Sequence, residues 1–223
     1  MSITFCSLPA IELKPAFSEA YYWRGRARLG FLNLTPSNRK KEAIQIIFKD
    51  FDKAIELKPD YAEAYIIRAG VWHSDEAFAE GVGDLDMAMQ DCEKGIKLNS
   101  KLGAGYYTRG SIKQTQQKLR EALADYDKAI QFISTVNNPH LLYYNRGVIK
   151  DSLNDYRGAI QEYTKAISLE PNYAPSYLNR GTAKFHLKDV SACDDWNKAC
   201  SLNQRIGCQN LCSFCGVANA CLR

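Results

Sequence analysis

The chain has 223 residues, 46% of them apolar and 24% charged, with a formal net charge of +4. That balance belongs to a soluble globular protein with an ordinary core, and its lysines and arginines are interleaved with acids. It therefore excludes a strongly basic nucleic-acid binder and a protein held to an anionic membrane by charge.

No apolar run approaches the ~20 residues that a bilayer span needs. The first residues, MSITFCSLPAIELK, lack the basic leader and apolar stretch of a signal peptide. A cytoplasmic setting is expected, in which the eight cysteines are thiols.

In chain order, residues 9–15, PAIELKP, look like the end of a second helix whose first helix is missing. Residues 1–17 thus read as a partial repeat, and its open face allows a homo-oligomer. A pattern of about 34 residues then recurs five times, over roughly 18–59, 62–100, 103–134, 140–171 and 174–203. With positions counted within each unit, position 4 is Tyr21, Tyr65, Tyr106, Tyr143 and Tyr177. Position 8 is small (Gly25, Ala69, Gly110, Gly147, Gly181), and so is position 27 (Ala54, Gly95, Ala129, Ala166, Ala199). Position 24 is mostly large: Phe51, Cys92, Tyr126, Tyr163 and Trp196.

Small residues facing large ones across two helical stripes predict a helix pair, and only stacked pairs bury both faces of such a unit. Pro59 and Pro171 close second helices. The first unit carries about ten extra residues around Asn33–Ser37, and the second about seven around His73–Asp84. Both insertions fall at the turn between paired helices, where they are expected to lengthen helices. Asn137-Asn138-Pro139 loosens the join before the fourth unit.

These residues and their spacing resemble the tetratricopeptide repeat family over residues 9 to 203. The resemblance implies an all-α, right-handed α-solenoid of antiparallel helix pairs, with a concave groove lined by the first helices. It also implies a non-enzymatic scaffold or adaptor that holds a peptide or partner protein there. The groove candidates are Tyr22, Arg26, Ile66, Tyr107, Ser111, Tyr144, Asn145, Val148, Leu178, Asn179 and Thr182, at positions 5, 6 and 9. Position 5 mixes aromatic and aliphatic side chains that suit either a ligand or the neighbouring unit. The family's chaperone-tail clamp is not matched, because Tyr107 with Ser111 and Tyr144 with Val148 stand where it needs Lys and Asn.

Position 7 is always arginine (Arg24, Arg68, Arg109, Arg146, Arg180), and position 23 is always acidic (Asp50, Asp91, Asp125, Glu162, Asp195). A ladder of partly buried ion pairs within each unit is expected, since fivefold repetition suits a framework better than a ligand.

Residues 204–223 form a cysteine-rich segment whose Leu211, Phe214, Cys215, Ala218 and Leu222 recur at helical spacing, as a capping helix would. Its Cys208-x3-Cys212-x2-Cys215 spacing leaves a zinc site or a redox role as the alternative. A further alternative is an adaptor fragment of a larger enzyme. No catalytic set, phosphate loop or metal motif is visible, so no catalytic residue, metal or cofactor is expected.

Overall fold

A computed structural model describes residues 16–216, and they divide into two compact units between Thr135 and Val136. The sequence expectations for residues 1–15, and for Ala218 and Leu222, lie outside the described residues.

The first unit contains α1 (Ser18–Gly30), α2 (Lys40–Leu57), α3 (Ala62–Trp72), a short α4 (Asp75–Ala79), α5 (Leu85–Leu98), α6 (Gly103–Thr115) and α7 (Leu119–Gln131). The second contains α8 (Pro139–Ser152), α9 (Tyr156–Leu169), α10 (Ala174–His186), α11 (Ala192–Ser201) and α12 (Arg205–Cys215). Helices pack as pairs: α1 with α2, α3 with α5, α6 with α7, α8 with α9, and α10 with α11. The architecture is all-α and of the α-solenoid class, and α12 packs on α11.

The close approach within a pair follows from position 8. A Cβ on Gly147 would lie 2.6 Å from the Tyr163 ring, and one on Gly110 would lie 2.7 Å from Tyr126. Position 24 can be a buried ring only because position 8 has no side chain. The second repeat shows the complementary choice, with Ala69 at position 8 and the smaller Cys92 at position 24, both fully buried.

The turns inside the last three pairs share one device. Gln117, Asn154 and Lys188 take φ of 61°, 62° and 59°. Beyond each, a backbone N–H closes on the first helix: Lys118 N–H bonds the Lys113 carbonyl at 2.9 Å, Asp155 N–H that of Lys150 at 2.8 Å, and Asp189 N–H that of Lys184 at 3.0 Å. This left-handed closure satisfies carbonyls at the helix end.

The two inserted turns differ from each other. The first forms 3-10 turns at Leu32–Leu34 and Ser37–Arg39 and leads into α2, which is 18 residues long. The second does not lengthen its helices, against expectation. It folds into α4, whose N-terminus is capped by Ser74 Oγ accepting from Ala77 N–H at 3.2 Å. Asp84 then caps α5 by accepting from Asp86 and Met87 N–H. These side-chain caps start new helices where longer paired helices were expected.

Candidate functional site

All five expected ion pairs form. Arg24, Arg68, Arg109 and Arg180 each contact the position-23 carboxylate of their own repeat at hydrogen-bond distance, and Arg146 lies 3.2 Å from Glu162. The carboxylates are buried. A second row of cations joins them from position 11, one helical turn further on. Arg28 contacts Asp50 at 2.6 Å, Lys113 contacts Asp125 at 2.9 Å, Lys150 contacts Glu162 at 2.6 Å and Lys184 contacts Asp195 at 2.8 Å. The second repeat has Trp72 at this position, and Asp91 is held there by Arg68, which also contacts Asp52. The position-11 row repeats visibly in the sequence, and sequence reasoning missed it. Pairing the acids with both rows leaves these cations committed to the framework.

The candidate groove residues separate into two sets. Tyr22, Ile66 and Leu178 are 5%, 2% and 9% exposed and belong to the hydrophobic core. Position 5 in those repeats packs against neighbouring helices, as with Tyr22 and Tyr61, whose ring centroids are 4.9 Å apart. The rest are partly exposed: Arg26, Tyr107, Ser111, Tyr144, Asn145, Val148, Asn179 and Thr182. In the first unit, Arg26 lies over the exposed Trp23 ring at 5.2 Å, and Tyr107 lies 5.9 Å from Tyr126. Ser111 Oγ is 3.1 Å from the Tyr126 hydroxyl, which also donates to Gln114 Oε1 at 2.8 Å.

In the second unit, Asn179 Nδ2 donates to the Tyr144 hydroxyl at 3.1 Å, joining α8 to α10. The Tyr144 ring lies 5.9 Å from Tyr163 and edge-on to Tyr173 at 5.2 Å. Burial pushes the Tyr144 hydroxyl pKa up, and the Asn179 bond opposes that. Further along the same helices, His186 stacks on Tyr156 at 4.6 Å. Beyond it, a cleft of about 500 Å³ is lined by Phe185, Val190, Trp196 and Phe214 among others.

The cysteine-rich end corrects the thiol expectation. Cys193 is bonded to Cys215 and Cys200 to Cys208, so two disulfides tie α12 to α11, and Cys212 is also disulfide-bonded. These sulfurs are not available as thiolate ligands. Leu211 is buried with Trp196 and Leu178, which makes α12 a cap on the last pair. Cys92 is a free and buried thiol whose pKa is raised by burial and by the neighbouring Asp91. That environment makes it a poor nucleophile.

Stacked helix pairs, four of the five with a glycine facing a buried ring, define a repeat scaffold. In agreement, a family model described as "Tetratricopeptide repeat" matches residues 104–134, and one described as "TPR repeat" matches residues 152–187. These two segments thus match tetratricopeptide repeats, an architecture that generally serves protein–protein interaction. No curated protein matches it. Among solved structures, PilF of Pseudomonas aeruginosa is similar with a TM-score of 0.72 at 16% identity, over 91% of this chain and 86% of that one. PilW, described as a widely conserved type IV pilus biogenesis factor, gives 0.70 at 13% identity, over 91% and 88%. YrrB, described as a TPR protein with an unusual peptide-binding site, gives 0.55 at 19% identity, over 88% and 91%. Identities this low establish likeness of fold alone.

Proposed function

We propose that the protein is a non-enzymatic adaptor that holds a peptide segment of a partner protein against the first helices of its repeats. The observation that carries this reading is the α8–α10 surface. There Tyr144, Asn145, Val148, Asn179 and Thr182 remain partly exposed, while Leu142, Gly147, Ile149, Gly181 and Ala183 on the same helices are buried. Rings supply contact area at low entropic cost and side-chain amides bond a peptide backbone, which suits an extended or helical segment. The peptide-binding site named for YrrB supports the same use of the fold. The test is an affinity capture repeated with Tyr107→Ala and Tyr144→Ala. Loss of a specific partner with helicity intact is the expected result. Unchanged capture would contradict groove binding and move attention to the outer helices.

The cap bears on compartment. No helix among the described residues is long and apolar enough to cross a membrane. Disulfides persist in oxidising compartments and are rare in the cytosol. The bonded Cys193, Cys200, Cys208, Cys212 and Cys215 therefore favour an oxidising compartment over the cytoplasm expected from sequence. Alkylation of the native protein without reductant should leave these five unmodified by mass. Labelling of them would contradict the oxidising assignment.

A further inference from the structure

Position 24 delivers a buried ring from the second helix to the first-helix face, and the repeats differ in what its polar end meets. In the third repeat, the Tyr126 hydroxyl is bonded by Ser111 and Gln114, at positions 9 and 12. In the fourth, the same register turns the Tyr163 hydroxyl toward Val148 and Asp151. Val148 offers it no polar group. Tyr163 is 0% exposed, and its hydroxyl makes no hydrogen bond. The Asn179 amide faces the same hydroxyl, and its Nδ2 donates to Tyr144.

Asp151 is the second unmatched group. It is half-buried on α8, and burial raises its pKa, with His186 on α10 acting in the opposite sense. The first-helix cations around it are taken: Arg146 and Lys150 by Glu162, and Arg180 and Lys184 by Asp195. The two helices run in register here. Tyr144 bonds Asn179 across 35 residues, and Asp151 faces His186 at the same separation. These two crossings are seven residues apart, or about 10 Å along the helices. They frame a strip that has Tyr163 between them as its floor, flanked by the rings of Tyr144 and of the His186–Tyr156 stack.

Resting on the groove-binding reading above, we propose that this strip on α8 and α10 anchors the bound peptide by a lysine or arginine side chain, held by the Asp151 carboxylate and the Tyr163 hydroxyl. An ammonium or guanidinium carries several N–H donors and no acceptor, so it satisfies both oxygens at once. It gives Asp151 the ion pair that the described residues do not supply, and the surrounding ring faces attract a desolvated cation.

The probe is a phage-displayed library of random dodecapeptides panned on the oxidised full-length chain. Binding of the selected peptides is then measured by fluorescence anisotropy. The expected result is enrichment of peptides with a lysine or arginine. Their affinity should fall about tenfold or more with Asp151→Asn, as for loss of one charge-assisted hydrogen bond. Replacing the basic residue of the peptide by norleucine should cost a similar factor on the wild-type chain and little on Asp151→Asn. Tyr163→Phe, which removes only the hydroxyl, should also weaken binding while leaving the circular dichroism unchanged. Selection of peptides without basic residues, or equal affinity for wild type and Asp151→Asn, overturns the anchor and leaves groove binding standing. Failure to select any peptide overturns both.

Discussion

The third and fourth repeats place the same residue, a tyrosine that is fully buried, against the same glycine-lined approach of two helices. In the third, Ser111 and Gln114 bond the hydroxyl of Tyr126. In the fourth, Val148 and Asp151 occupy those positions, and the hydroxyl of Tyr163 is left without a bond. Two tiles with one framework thus differ in whether the buried hydroxyl is hydrogen-bonded inside the repeat. A buried hydroxyl whose oxygen accepts no hydrogen bond carries a desolvation cost, so its retention marks a position shaped by more than folding.

The framework side of the comparison predicts large and equal effects in the two repeats. Arg109→Ala and Arg146→Ala each leave the acid with a remaining lysine, so each should cost about 1–3 kcal/mol in urea unfolding. Arg68→Ala removes the one cation that, among the described residues, bridges to Asp91, and should cost roughly 3–5 kcal/mol. Equal losses at Arg68 and Arg109 would show that the position-11 lysines contribute nothing. Gly110→Ala and Gly147→Ala should each cost about 1–3 kcal/mol, since the added methyl meets a ring with no room to retreat.

Much of this framework is legible in the sequence because it is repeated. Positions 7 and 23 recur five times, and the pairs form. Arg28, Lys113, Lys150 and Lys184 are equally visible in the sequence, but Trp72 interrupts their row in the second repeat. The burial of Tyr22, Ile66 and Leu178 was not legible. Position 5 lies where the first helix turns from its open face toward the next element, and only packing decides which way the side chain goes. The disulfides were hidden for another reason: pairing of cysteines depends on the distance between α11 and α12, which spacing in sequence does not report. The distinction between Tyr126 and Tyr163 is not repeated at all, so no row could display it.

A smaller effect separates the two turns. Gln117 and Asn154 both adopt left-handed backbone, which asparagine tolerates better than glutamine. Gln117→Gly should therefore raise stability by about 0.5–1 kcal/mol and Asn154→Gly by less, measured as midpoint shifts in urea.

The most direct measurement pairs Tyr126→Phe with Tyr163→Phe, each followed by urea unfolding and by affinity for the selected basic peptides. Tyr126→Phe should cost about 1 kcal/mol, because it breaks two hydrogen bonds made inside the repeat. Tyr163→Phe should leave stability unchanged or raise it, since no internal bond is lost, and should weaken peptide binding. A loss of stability at Tyr163 equal to that at Tyr126, with peptide affinity unchanged, would contradict the account.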